Sequence, residues 1–298
     1  SRGLGDVYKR QVILLLKMND RLIIYFNNIL DDIVTEVCPV SGGCINDCYK
    51  LETQKSNYFV KLNGTINLFE EENKGLDLLR ASKTFFIPKV YKFGVFESFN
   101  FLLMEWIEEK NKSDNFWNFF AKNLSELHST TNDKFGLDHD NYIGSLKQSN
   151  TYYYDGVEFF INTRLVPQLE KLNRLNNSSF FKKFDVLFNL LNEIIPVYQP
   201  SLLHGDLWSG NFLIDHNGHA CLTDPAVYYG NREADIAMTK LFGGFSEEFY
   251  SNYNDYLPML NGWQERMPIW NLYPLLVHAN LFGSSYLNQI NSILNKYN

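Results

Sequence analysis

Apolar and polar positions follow two different periods along this chain, and the change of period divides it. Up to residue 106, short apolar stretches of strand length dominate: 37–40, 48–53, 57–62, 90–96 and 101–106. Such runs, closed by turn signals such as Asn63-Gly64, predict strands. Two helical patterns accompany them, over 20–34 and over 68–81, the second rich in Glu near its start, where the helix dipole favours acids. Lys110-Asn-Lys-Ser-Asp114 is a polar break. Beyond it the apolar spacing turns helical over 115–128, 154–175, 179–195, 233–242, 246–260 and 268–295. The expected fold is therefore α+β in two lobes. An N-terminal antiparallel sheet lobe spans 18–108, and a larger, mainly helical lobe spans 109–298.

Length and composition fit this division. The 298 residues are 45% hydrophobic and 16% aromatic, enough for a large core. The net charge of -7 argues against a nucleic-acid partner, for which a basic face would be expected. No apolar run approaches the 18 residues of a membrane span. Three of the four cysteines, Cys38, Cys44 and Cys48, lie close together but make no obvious disulfide framework or zinc set, so reduced thiols in a cytoplasmic protein are expected. Cys38, Cys48 and Cys221 read as buried strand residues. Residues 1–11, which include Asp6-Val-Tyr-Lys-Arg-Gln11, read as the translation of a sequencing-library adapter and are set aside from the fold. Met18 is the expected native start.

The chemistry concentrates in His204-Gly-Asp-Leu-Trp-Ser-Gly-Asn211 and in Asp224, thirteen residues further on. In phosphoryl transfer one Asp accepts the proton of the attacking hydroxyl, an Asn holds a metal, and a later Asp binds metal beside the phosphates. Asp206, Asn211 and Asp224 have those types in that order. The apolar runs 212–214 and 220–223, around Asp215-His-Asn-Gly218, predict a hairpin that returns Asp224 to Asn211. The plainer reading, an acidic helix cap at Asp206, leaves the other two residues unexplained.

The first lobe offers complementary groups. Gly42 and Gly43 lie in a loop between two strands, where backbone amides can approach phosphate oxygens, although an ordinary hairpin turn has the same pattern. No P-loop motif is present. Lys61 ends a strand pattern. Glu72 falls at helical spacing among Phe69, Leu76 and Leu79 and is the preferred partner for that lysine, with Glu70 and Glu71 as rivals. Glu105, Trp106 and Ile107 end a strand just before the polar break, where a hinge would offer backbone groups to adenine.

With these segments in order, the chain resembles the fructosamine kinase (ketosamine-3-kinase) family, within the protein-kinase-like superfamily that includes aminoglycoside phosphotransferases. The resemblance rests on Ser41-Gly-Gly-Cys-Ile45, Tyr58-Phe-Val-Lys61, Asn141-Tyr-Ile-Gly-Ser145, Arg164-Leu-Val-Pro-Gln-Leu169, the 204–211 loop and Asp224-Pro-Ala-Val-Tyr-Tyr-Gly230. Arg232-Glu-Ala-Asp-Ile-Ala-Met238 and Leu241-Phe-Gly-Gly-Phe245 extend it. Trp208 and the block from 224 to 245 separate this family from the aminoglycoside kinases. Asn231 stands where a His is common.

The resemblance implies ATP and Mg²⁺ as cofactors and phosphorylation of the 3-hydroxyl of a ketosamine, free or on a glycated lysine. It implies Asp206 as the base, Asn211 and Asp224 as metal ligands, and Lys61 with Glu72 at the ATP phosphates. Another small-molecule kinase of the same fold, of the aminoglycoside or choline type, is the alternative. His204 is expected to brace the loop and Asp235 to hydrogen-bond within the second lobe. Trp208 is either a wall of the sugar pocket or packing. Cys44 is either an inert turn residue or, as the resemblance implies, a redox-sensitive thiol that would link a monomer into a dimer.

Overall fold

The computed structural model describes residues 19–40, 46–64, 68–172 and 178–297. The expectations for residues 1–11, Met18, Gly42, Gly43 and Cys44 concern positions outside the described residues. Two compact units are present. One runs to Asn73 and resumes over Pro88–Glu108; the other takes Lys74–Ile87 and Glu109 onward. The segment 74–87, read from sequence as part of the first lobe, thus belongs by its contacts to the second unit.

In the first unit five antiparallel strands are ordered β1-β2-β3-β5-β4: β1 Val34–Val40, β2 Asp47–Thr53, β3 Asn57–Asn63, β4 Val90–Phe96 and β5 Phe99–Glu105. Helix α1, Asp20–Leu30, packs Leu22 and Phe26 onto Tyr49, Leu51, Tyr58, Val60, Leu62, Phe101 and Leu103. Strand side chains alternate between faces. Tyr58, Val60 and Leu62 therefore fill this core, while Lys61 projects to the opposite face, flanked in register by Cys48 and Leu102. The helical pattern over 20–34 ends early. Asn19 caps the start by accepting the Leu22 N–H at 2.9 Å, and Asp31 turns left-handed at φ 48°. The Asn27 side chain then takes the Val34 N–H at 2.8 Å, and Val34 opens β1.

Helix α2, Phe69–Ser82, crosses from one unit to the other. In the second unit α3, Phe116–His128, is followed by the strand pairs β6–β7 (Asn141–Ile143 and Leu146–Gln148), β8–β11 (Ser201–Leu203 and Tyr228–Gly230) and β9–β10 (Phe212–Ile214 and Ala220–Leu222) and by the helical stretch α4 over 156–172. The middle of α4, Phe160–Leu165, is a π-helix, a widened turn common at functional positions. Next come α5, Ser178–Ile194, α6, Glu233–Leu241, and α7, Glu247–Tyr256. The single helix read over 268–295 is instead three: α8, Trp263–Trp270, α9, Leu272–Phe282, and α10, Leu287–Leu294. Pro274 has no N–H to give the carbonyl four residues back, so it is placed in the first turn of a new helix. Among the described residues no helix is long and apolar enough to cross a membrane.

Two of the cysteines expected in the core are there: Cys48 and Cys221 are 8% and 0% exposed. Cys38 is not. Period-two alternation on β1 turns it outward, half-exposed, where its thiol donates to Glu36 at 3.4 Å.

Glu233 anchors the C-terminal helices. It is 1% exposed, and its carboxylate accepts Arg266 Nε at 2.9 Å, Arg266 Nη2 at 2.5 Å and Trp270 Nε1 at 2.9 Å. Removing one partner of a buried, doubly hydrogen-bonded ion pair leaves an uncompensated charge. Glu233→Ala is expected to lower unfolding free energy by about 3–5 kcal/mol, read from urea denaturation. A loss below about 1 kcal/mol, the size of a surface pair, would contradict the anchoring role.

Candidate active site

Lys61 lies on the face of β3 turned away from the α1 core, and its Nζ meets Glu72 Oε1 of α2 at 2.7 Å. The two side chains are 4% and 13% exposed, so the ammonium is fixed two residues before β3 ends, with little water around it. The structure thereby brings together the lysine and the preferred glutamate. Glu105, Trp106 and Ile107 follow on the end of β5 and beyond it. The Glu105 N–H donates to the Lys89 carbonyl at 2.8 Å, and Trp106 Nε1 donates to Glu108 at 3.0 Å.

In the second unit, β8 (Ser201–Leu203) delivers the chain to His204. Gly205 has φ +83°, and a Cβ there would lie 2.0 Å from the Ala226 carbonyl oxygen, so this turn requires glycine. The Ala226 N–H in turn donates to the His204 carbonyl at 2.9 Å. The hairpin of β9 (Phe212–Ile214) and β10 (Ala220–Leu222) forms around a turn in which the buried Asp215 accepts the N–H groups of Asn217 and His219. It returns the chain so that the Thr223 N–H donates to the Asn211 carbonyl at 3.0 Å. Asp224 is the next residue, exposed and left-handed at φ 53°, a conformation that Asp tolerates better than most side chains.

Asp206 and Asn211 are joined directly. Asn211 Nδ2 donates to the Asp206 carboxylate at 2.9 Å and to its carbonyl at 2.8 Å, leaving the amide oxygen as an acceptor site. Asp206 is half-buried. Desolvation pushes its carboxyl up to about 7; the Asn211 bond opposes this and the Asp235 charge adds to it. A carboxylate balanced near neutrality is suited to accepting a proton.

Behind the loop lies a chain of polar groups that single-segment motif reading does not resolve. Asp235 of α6 accepts the N–H groups of His204 at 2.8 Å and Gly205 at 2.9 Å. It also meets His128 Nε2 at 3.2 Å, and His128 Nδ1 meets the Tyr253 hydroxyl at 2.7 Å. Arg232 donates to that hydroxyl at 3.0 Å. The donors therefore run Arg232 to Tyr253, Tyr253 to His128, and His128 to Asp235, with a neutral imidazole protonated on Nε2. His204 is likewise a bridge. Its Nδ1 accepts the Asp206 N–H at 3.3 Å, so its Nε2–H donates to the Thr223 carbonyl at 3.0 Å.

Two further supports hold the block after Asp224. Asn141 donates to the Val227 carbonyl at 2.8 Å, and Gln148 donates to Ala226 at 3.1 Å while accepting the Tyr273 hydroxyl at 2.7 Å. Arg164, fully buried in the π-turn, lies 4.0 Å from the centroid of Tyr228 and 4.7 Å from that of Phe159.

The fructosamine kinase family model matches residues 27–298. The chain belongs to the fructosamine kinase family. It is accordingly a phosphotransferase acting on a hydroxyl group, with a kinase-like two-lobe α+β fold. A probable ketoamine kinase of Enterococcus faecium is 41% identical over 268 residues, 88% of this chain and 95% of that protein. The chloroplastic protein-ribulosamine 3-kinase of Oryza sativa subsp. japonica is 38% identical over 89% of this chain and 79% of its own length. Among solved structures, a candidate fructosamine-3-kinase of Haemophilus somnus 129PT superposes with TM-score 0.82 at 27% identity, covering 93% of this chain and 96% of that one. The aminoglycoside phosphotransferase APH(4)-Ia, at TM-score 0.62 and 16% identity, shares the fold alone.

The bracing imidazole gives a pH signature. Burial holds His128 below its usual value, against the opposing pull of Asp235. The folded state thus binds fewer protons than the unfolded one, so the stability held by the neutral ring is present above about pH 6.5 and lost as pH falls below it. Between pH 7 and 5.5, thermal melts of wild type should lose more stability, or gain less, than those of His128→Gln. The comparison between the two proteins is the readout, because His204, lowered by burial, acts in the same sense as His128 in both, and the raised Asp206 carboxyl acts in the opposite sense in both. Identical slopes in the two proteins would remove His128 from the acid response.

Proposed function

We propose that this chain is an ATP-dependent ketosamine 3-kinase. In this reading it transfers the γ-phosphoryl group of ATP to the sugar 3-hydroxyl of ribulosamine, erythrulosamine or fructosamine adducts. The observation that carries the reading is the Asp206–Asn211 pair, held on a loop bonded through Thr223 to the segment bearing Asp224, in a member of this family. The substrate class is supported by relatives bearing the names ketoamine kinase and protein-ribulosamine 3-kinase.

The roles follow from the side chains. Asp206 accepts a hydrogen bond from the 3-hydroxyl and takes its proton as the oxygen attacks phosphorus. The new O3–P bond forms as the bond from γ-phosphorus to the bridging oxygen breaks, and ADP departs with that electron pair. Asn211 orients Asp206 through its amide N–H groups and offers its amide oxygen to Mg²⁺, with the exposed Asp224 carboxylate as the second protein ligand. Two protein oxygens suit an ion that takes its remaining ligands from phosphates and water. Bound there, Mg²⁺ would neutralise charge on the phosphate oxygens. Lys61, fixed by Glu72, supplies a positive charge for those oxygens, and the backbone around Glu105, Trp106 and Ile107 supplies hydrogen-bonding groups to the nucleotide base. Catalysis then comes mostly from orientation and charge, which is how kinase-type sites work.

The phosphorylated adduct is unstable and releases its amine, so the reaction reverses glycation of free amines or protein lysines. We place it in the cytoplasm, where ATP is supplied. Aminoglycoside phosphorylation is the weaker reading, since the family match extends across the C-terminal half whereas the aminoglycoside enzymes resemble this chain in fold alone.

Side-by-side assays of ATP consumption with ribuloselysine, fructoselysine and kanamycin test the assignment. Turnover is expected with a ketosamine, and turnover with kanamycin alone would overturn the reading. Asp206→Asn should retain its fold and lose about 10²–10⁴-fold in turnover, the usual worth of a positioned base; near-full activity would refute the base assignment. Asp224→Ala should abolish the Mg²⁺ dependence of nucleotide binding in calorimetry. The same nucleotide affinity in variant and wild type, with and without Mg²⁺, would remove it from the metal site.

A further inference from the structure

Two helix faces in the second unit run outward from the catalytic loop. Asp235 and Met238 of α6, and Tyr273 and Pro274 of α9, line a small cavity beside Gly205. One helical turn beyond Met238 is Phe242; one and two turns beyond Pro274 are His278 and Phe282. These side chains meet. The rings of Phe242 and His278 lie 4.8 Å apart, and His278 lies 5.3 Å from Phe282 and 5.1 Å from Tyr286. The inner end of the row is Trp208, two residues after Asp206, whose indole stands edge-on to Phe242 at 5.8 Å. The loop after α6 is pressed against the catalytic loop here, since a Cβ at Gly244 would fall 2.6 Å from that of Ser209. The outer members are open to solvent: Phe242 is 39% and Phe282 48% exposed.

Within this row His278 has one defined polar vacancy. Its Nδ1 lies 2.8 Å from the Pro274 carbonyl, which can only accept, so the proton is on Nδ1. Nε2 is left as a lone-pair acceptor among aromatic rings. Burial lowers the imidazole's basicity, which keeps that lone pair free near neutral pH.

We propose that Trp208, Phe242, His278 and Phe282 form the subsite for the amine carrier of the ketosamine, favouring aromatic carriers over small or hydrophilic ones. The inference rests on the ketosamine reading and deepens it. A ketosamine is a sugar joined to an amine whose nitrogen is protonated at neutral pH. With the sugar 3-hydroxyl at Asp206, the rest of the molecule must extend over neighbouring surface, and the aromatic row begins two residues away. Ring faces attract an ammonium through their quadrupole, the His278 lone pair accepts one of its N–H bonds, and a flat carrier stacks along Phe242 and Phe282. A cationic residue in the row would repel that ammonium; the row holds none.

The test compares ribulose adducts of benzylamine and methylamine with the full chain. Wild type should prefer the benzyl adduct in kcat/KM by about threefold to tenfold, the worth of one or two ring contacts. The preference should appear in KM and shrink in Phe242→Ala and in Phe282→Ala, the latter at an exposed position where folding is not at stake. Calorimetric binding of benzylammonium, with methylammonium as control, reads the same subsite without turnover and should weaken in both variants. No preference in wild type, or a preference that survives both substitutions, overturns the subsite. If neither adduct is phosphorylated, the ketosamine reading falls, and benzylammonium decides the subsite alone: binding lost in the variants supports an aromatic-amine site, and no binding to wild type overturns it.

Discussion

The second unit's chemistry depends on one carboxylate. Asp235 is buried and accepts two consecutive backbone N–H groups, those of His204 and Gly205, at the turn where β8 leads into the 204–211 loop. Without those acceptors the two amides would be orphaned in the interior, at a cost of about 1–3 kcal/mol each. The carboxylate therefore determines where the loop can run, and Gly205 is the residue that can make the resulting turn. His204 transmits the constraint onward, because its ring bonds Asp206 on one side and Thr223 on the other. One buried charge thus sets the positions of both acid-bearing segments.

That charge is stabilised by hydrogen bonds from neutral groups, since burial keeps the facing His128 ring from taking up a second proton. Each proton in the chain from Arg232 through Tyr253 to His128 has one acceptor, which fixes every ring orientation. A fully satisfied network of this kind specifies one arrangement, and a partly satisfied one would cost more than an apolar core. The first unit uses a different device. Lys61 and Glu72 are a charge pair with little solvent, and such pairs add less to stability than to the definition of geometry. The ammonium is held ready on a strand whose neighbours in register, Cys48 and Leu102, are both buried.

What could be read from sequence was what is local. Strand runs of period two, the Asn63-Gly64 turn and the hairpin around Asp215–Gly218 each carry their signal within a few residues. The Lys61–Glu72 pair was legible because strand alternation and helix spacing each fix a direction. Helix ends were less so. Asn27 ends α1 with a side-chain bond seven residues ahead, and Pro274 divides a helical pattern whose apolar spacing alone looks continuous. Cys38 was misread because an apolar-looking residue on an edge strand follows the alternation, not its own hydrophobicity. The brace was the least accessible part. Asp235 was expected to hydrogen-bond within the second lobe, but its partner His128 lies 107 residues away and does not differ in type from an ordinary helix residue.

The polar brace and the aromatic row also explain how one loop can serve both fixed chemistry and a variable substrate. In the proposed mechanism the base tolerates little displacement, and Asp206 is held by directional bonds to Asn211 and His204, which lose strength quickly with angle. The amine carriers of ketosamines differ in size and shape, and directional bonds would select one of them at the expense of the rest. Ring faces attract without a strict direction and can accept a carrier at several offsets. In the proposed mechanism, placing hydrogen bonds where the reaction needs precision, and aromatic surface where the substrate varies, lets Trp208 share a loop with Asp206 without coupling specificity to the position of the base.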